Sequence, residues 1–151
     1  MEVTEYQSQY QDAFIRLNTA WIEKYFAMEQ DDYDELNHVD ELLKKGAMVF
    51  FATEDSNVLA TGMVMPIGKD EWEICKLAAD EKEQGHGAGS AVFQACMDYA
   101  INHGAERLII ISNSALKPAL HIYKKFGFQE IPVDKTHNYQ RADIQFEYVV
   151  K

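Results

Sequence analysis

A chain of 151 residues is long enough for one domain with a sizeable core and too short for two ordinary ones. Hydrophobic residues make up 47% and charged residues 26%, which is a globular composition and excludes a disordered tail. Fourteen Lys and Arg against 25 Asp and Glu leave a formal charge of −11, which excludes the basic footprint of a nucleic-acid binder and favours cationic partners.

Val3 to Tyr6 predicts a short first strand, and Phe14, Leu17, Trp21 and Tyr25 then recur at helical spacing with polar residues between them. The acidic stretch from Glu29 to Glu41 holds no apolar run, but Leu36, Val39, Leu42 and Leu43 predict a second short helix capped by Gly46. Met48 to Ala52 is a continuous apolar run of strand length. Glu54-Asp55-Ser56-Asn57 reads as a turn, Val58 to Met65 as the returning strand, and Pro66 with Gly68-Lys69-Asp70 as a second turn into a strand from Glu71 to Ala79.

From Gly87 to His103 the positions Val92, Cys96, Tyr99 and Ala100 form one helical stripe, stopped by Asn102-His103-Gly104. Leu108 to Ile111 is apolar throughout, as in a strand buried on both faces and parallel to a neighbour. Pro118 fits the first turn of a last helix that Gly127 ends, and two strands follow, around Phe128 to Val133 and Ile144 to Val150. The whole chain, 1–151, reads as a single α/β domain without repeats or linkers.

No stretch approaches ~18 consecutive apolar residues, so no membrane span is expected. The acidic start Met1-Glu2-Val3-Thr4-Glu5 lacks the regions of a signal peptide, which points to a cytoplasmic protein. Cys75 and Cys96 make no CxxC pair and are expected to be reduced thiols. The five histidines show no ligand spacing, so no metal is expected.

The most informative segment is Gln84-Gly85-His86-Gly87-Ala88-Gly89-Ser90, which follows a strand and opens the helix from Gly87. Helix N-termini offer unpaired N–H groups and the positive end of the macrodipole, and glycine lets an anion approach the backbone. The segment therefore predicts a phosphate-bearing ligand. A nucleotide-hydrolase P-loop is excluded, because no Lys-Ser or Lys-Thr pair follows the last glycine. A Rossmann turn fits weakly: its third glycine would fall at Ser90, and three hairpin-spaced strands precede it in place of a βαβ unit.

Gln84-x-x-Gly87-x-Gly89 resembles the coenzyme A signature of the GNAT superfamily of N-acetyltransferases. The resemblance extends to the approach strand Glu73-Ile74-Cys75-Lys76-Leu77, to Asn113, and to Leu120-His121-Ile122-Tyr123-Lys124-Lys125-Phe126-Gly127-Phe128, which is similar to the family's Leu-Tyr-x-x-x-Gly-Phe segment. It implies the GNAT fold, a mixed central sheet of about seven strands flanked by helices in the order βααβββαβαββ, with acetyl-CoA as cosubstrate and no metal.

The resemblance also implies the site. Backbone groups of Gln84, Gly85, His86, Gly87, Ala88, Gly89 and Ser90 would hold the pyrophosphate. Leu77, Ala78 and Ala79 would meet the pantetheine arm where the fourth and fifth strands part, with the Leu77 N–H as oxyanion donor. Asn113 would bond the coenzyme or a water. Tyr123 stands at the general-acid position, where a phenol with a pKa near ~10 protonates the departing thiolate. Glu73, eleven positions before Gln84, stands where some members keep a general base; the competing reading is a strand carboxylate paired with Lys76 or left in solvent. Trp21, Tyr25, Tyr33, Tyr139 and Arg141 are candidates for the acceptor pocket wall. The acceptor would be an amine of a small molecule or peptide, with a cationic one favoured by the charge. Family members often form homodimers. The alternative is a coenzyme A binding module without catalysis, against which Tyr123 and Glu73 speak.

Overall fold

The computed structural model describes residues 1–83, 86–133 and 141–150. A mixed sheet of seven strands runs in the order β1-β2-β3-β4-β5-β7-β6, formed by β1 (Glu2–Glu5), β2 (Met48–Glu54), β3 (Asn57–Gly68), β4 (Glu71–Ala79), β5 (Arg107–Ser112), β6 (Gln129–Ile131) and β7 (Ile144–Val149). Every neighbouring pair is antiparallel except β4 and β5. The parallel placement expected for the Leu108 to Ile111 run follows from its crossover helix, α4 (Ala88–Asn102). Helices α1 (Gln11–Tyr25), α2 (Gln30–Asn37) and α3 (Val39–Lys44) come before β2, and α5 (Lys117–Lys125) lies between β5 and β6.

Alternation along the strands divides the core in two. Phe14, Leu36, Val39, Val49, Phe51 and Met63 form one cluster with α1 to α3. Phe50, Val64, Ile74, Leu108, Ile110 and Phe146 form the other with α4 and α5. Trp21 of α1 packs against the second cluster although its neighbours Phe14 and Leu17 do not belong to it.

Two expectations are corrected. The second helix is two helices, broken at His38 (φ −119°, ψ 34°), whose ring Nδ1 donates to the Asp34 carbonyl at 2.7 Å and closes α2. Pro66 does not turn the chain, since β3 continues to Gly68. β3 pairs with β2 only as far as Val64, so Pro66 sits where the β2 side has ended and its missing N–H breaks no ladder there. The 54–57 turn is as expected, with positive φ at Asp55 and Ser56 (51° and 70°) matching the right-handed twist of a two-residue hairpin. Gly46 and Gly127 take positive φ after α3 and α5, the left-handed helix stop expected of them.

Candidate functional site

The site begins where two strands separate. β4 and β5 pair at Glu71 with Arg107, Trp72 with Leu108 and Glu73 with Ile109, yet β4 continues to Ala79 and β5 to Ser112. Beyond Glu73 the facing edges stand apart, leaving backbone groups for a guest chain. The cause lies on the other side of β4. Met63 pairs with Cys75 and Thr61 with Ala78, so Lys76 and Leu77 together oppose Gly62. Lys76 takes φ 55°, a left-handed conformation that bends the strand at this bulge.

One cleft of about 360 Å³ runs from this opening to the start of α4. Leu77, Ala78, Ala79, Gly87, Gly89 and Ser90 form one side, and His121, Ile122 and Lys125 of α5 the other. Gly87 is the N-cap at φ 90°, and a Cβ added there would meet nothing within 4 Å. The cradle is therefore open to an anion. Ala88 and Ala78 are buried, so they can offer only backbone, while His86 is exposed. Gly89 has a packing reason of its own, since its Cβ would lie 3.3 Å from Ile122 Cδ1. Gln84 and Gly85 lie outside the described residues. Lys125 was not found in the sequence reading; its Nζ donates to Ser90 Oγ at 3.0 Å, which sets a cation beside the α4 N-terminus. The signal was its position two residues after Tyr123, on the helix that faces the cradle. These features fit a coenzyme A molecule: an N-terminus with room for phosphate, a cation beside it, and an unpaired strand edge leading inward.

A second cleft continues inward, sharing Trp21 and Leu77 with the first and bounded by Cys75, Ser112, Asn113, Tyr123 and Arg141. The clefts therefore meet at Leu77, and Tyr123 stands at the inner end. Burial raises the Tyr123 pKa to about 12, against a hydrogen bond to Ser112 that lowers it, so the phenol keeps its proton at neutral pH. Ser112, at the end of β5, is the side-chain hydroxyl that faces Tyr123. Ser112 also escaped the sequence reading, because a strand-end serine carries no pattern. Cys75 is held well above its ordinary pKa, chiefly by burial and then by Glu73, which makes it a poor nucleophile. Asn113 spends its amide within the fold: Nδ2 donates to the Arg141 carbonyl and Oδ1 accepts from the Ala115 N–H at 2.8 Å.

Arg141 donates to Glu29 at 3.0 Å and to both carboxylate oxygens of Asp32 at 2.8 and 2.7 Å, and its guanidinium lies 5.6 Å from the centre of the Phe26 ring. Burial alone would raise the pKa of Asp32, but hydrogen bonds from Arg141 and the Glu29 backbone hold it below its ordinary value. This clamp joins the start of α2 to the segment before β7 and walls the inner cleft. Lys76 pairs with Glu35 at 3.2 Å. Glu73 does not line either cleft. Its Oε2 is buried without a hydrogen-bond partner among the described residues, and burial raises its pKa to about 7, with Lys76 opposing and Glu35 adding.

Of the expected wall residues, Trp21 and Arg141 line the inner cleft. Tyr25 packs against Trp21 with centroids 5.4 Å apart and the rings tilted by 60° and does not line it, and Tyr33 is exposed on α2. Tyr139 lies outside the described residues. Among the described residues no group of His, Cys, Asp or Glu is placed to hold a metal, and no helix is long and apolar enough to cross a membrane.

The family model for the acetyltransferase (GNAT) family matches residues 10–128. An uncharacterised N-acetyltransferase of Bacillus subtilis, YobR, is 24% identical over 123 residues, covering 80% of this chain and 49% of its own length. The chain thus spans about half the length of that curated relative. An acetyltransferase of the GNAT family from Staphylococcus aureus Mu50 superposes with a TM-score of 0.89 at 14% identity over 99% of both chains. The PaiA N-acetyltransferase of Thermoplasma acidophilum, solved in complex with coenzyme A, does so with a TM-score of 0.75 at 13% identity over 99% of this chain and 100% of its own.

Proposed function

Because the chain belongs to the acetyltransferase (GNAT) family, we propose that it moves the acetyl group of acetyl-CoA to an amine by direct attack with both substrates bound. The observation that carries this reading is the continuous path from the open N-terminus of α4, along the unpaired edge of β4, to the Tyr123 hydroxyl. Backbone N–H groups of Gly87 to Ser90, with Lys125 beside them, hold the phosphates. The Gln84-x-x-Gly87-x-Gly89 pattern assigns Gln84 and Gly85 to the same phosphate site.

Acetyl-CoA supplies an activated acyl group and a thiolate leaving group. The edge of β4 at Leu77 and Ala79 holds the pantetheine arm by strand-like hydrogen bonds, and the Leu77 N–H stabilises the negative charge that develops on the acyl oxygen. Tyr123 donates its O–H to the departing sulfur. Its raised pKa makes it a weak acid, so its contribution is a hydrogen bond that strengthens as the thiolate forms. Glu73, ionised above about pH 7, serves as the base through water, since it stands behind the cleft wall.

The acceptor is an amine on a small molecule or a peptide. The acidity of the chain gives little support to a cationic one, because Glu29, Asp32 and Glu35 are paired with Arg141 and Lys76. Release of free thiol from acetyl-CoA across a panel of amines tests the reading. A rise in melting temperature with acetyl-CoA but not with NADH is expected, lost in Gly87→Asp, which puts a carboxylate into the open cradle. Acetyl-CoA binding without thiol release for any amine would favour a coenzyme-binding module, and stabilisation by NADH alone would overturn the assignment.

A further inference from the structure

Asn18 is a polar side chain on the buried face of α1, only 3% exposed, and it lines the inner cleft. Its Nδ2 donates to the Phe14 carbonyl at 2.9 Å, one turn back. A carbonyl oxygen can be met only by an N–H, so this bond fixes which way the amide faces. Its Oδ1 makes no hydrogen bond to a described residue. The residue is otherwise enclosed and lines the cleft, so the cleft is where a partner for this oxygen would come from.

We propose that Asn18 Oδ1 receives an N–H of the acceptor amine, and that the acceptor is a primary amine on an uncharged, apolar body. The assignment rests on the acetyltransferase reading above and narrows it. A neutral amine has two N–H bonds and one lone pair, so anchoring an N–H on α1 leaves the lone pair to be turned toward the thioester carbon, across the cleft near Leu77 and Tyr123. The body of the acceptor would then rest on Trp21, Ile22, Phe26 and Leu116, which line the same cleft.

The charges around the cleft argue against a second ammonium. Among the described lining residues there is no Asp or Glu. The two cations that line it, Lys76 and Arg141, already carry the nearby carboxylates of Glu35, Glu29 and Asp32. A diamine would lose water from its distal ammonium and find no counter-charge, which is unfavourable in a cleft with apolar walls.

The test compares phenethylamine and hexylamine with putrescine and spermidine, using the wild type, Asn18→Leu and Asn18→Asp, with the acetyl-CoA melting shift measured in parallel. The monoamines should have a kcat/KM at least about tenfold above the diamines. Asn18→Leu should lower kcat/KM for the monoamines by about tenfold, the size of one lost hydrogen bond to the ligand, with KM carrying much of the change and the acetyl-CoA shift retained. Asn18→Asp should narrow the gap between putrescine and hexylamine, because it supplies the missing counter-charge. Faster acetylation of putrescine or spermidine by the wild type, or an unchanged KM in Asn18→Leu, would overturn the acceptor assignment alone. Binding of acetyl-CoA with no turnover of either monoamine would also overturn it. A wild type that acetyl-CoA does not stabilise would overturn the acetyltransferase reading itself.

Discussion

Glu73→Gln should stabilise the protein at about pH 8 and do far less at about pH 5. The carboxyl of Glu73 titrates near 7 in the folded state against an ordinary 4.5, chiefly because it is buried. A raised carboxyl pKa means that the folded protein binds the proton more tightly than the unfolded chain does. The favourable contribution is complete below about 4.5 and is lost as the pH rises through about 7. Each tenfold of proton affinity is worth about 1.4 kcal/mol, so the full swing is about 3 kcal/mol. Glutamine removes the charge but keeps the shape. The cost of burying a glutamine amide at the position of the orphaned Oε2 is the same at every pH, so the difference between the two pH values isolates the titration of the wild-type carboxyl.

Urea unfolding of both proteins at the two pH values reads this directly. A stabilisation of Glu73→Gln at pH 8 that exceeds that at pH 5 by a few kcal/mol is expected. A difference independent of pH would refute the reasoning and return Glu73 to the status of an ordinary ionised strand carboxylate. The same titration fixes the kinetic signature of a base. Below about pH 7 the wild-type carboxyl is protonated and cannot accept a proton, so the deficit of Glu73→Gln should be greatest between that pH and the pKa of the amine.

Tyr123→Phe should lower kcat by about 100-fold with little change in acetyl-CoA affinity, since the hydroxyl acts only as the thiolate leaves; wild-type turnover in steady-state assays would reduce Tyr123 to a packing residue. Lys125→Met should weaken acetyl-CoA binding by about tenfold in calorimetry and flatten its salt dependence, because a screened cation beside the phosphates is lost; unchanged affinity would leave its bond to Ser90 as a helix-to-helix contact only.

The sheet was legible in the sequence because its strands are apolar runs of the right length bounded by turn residues, and because β5, apolar throughout, announces burial on both faces. The cradle was legible because glycines at fixed spacing before an amphipathic helix have few other uses. The parting of β4 from β5 was implied by the family resemblance, but its cause was not legible in the residues. It depends on a bulge at Lys76, a lysine at φ 55°, and nothing in local propensity marks a lysine for that conformation. Asn18 was hidden for a related reason. The helical stripe that names Phe14, Leu17, Trp21 and Tyr25 leaves Asn18 among its polar residues, whereas α1 buries Phe14, Leu17, Asn18 and Ile22. A polar residue on a buried face is visible only once the neighbouring cleft is known.

Charge shows the same limit at the scale of the whole chain. Glu29, Asp32 and Glu35 recur every three residues, which sets them along one face at the start of α2, and that face meets Arg141 and Lys76. Asp31 and Asp34 fall on another face of the same helix and are exposed. The formal charge of −11 therefore overstates the charge at the cleft wall, where these three carboxylates share two cations. If the acceptor assignment holds, a wall whose carboxylates are already engaged by Arg141 and Lys76 would select by shape, apolar contact and the Asn18 amide oxygen, and the net acidity of the chain would say little about the acceptor.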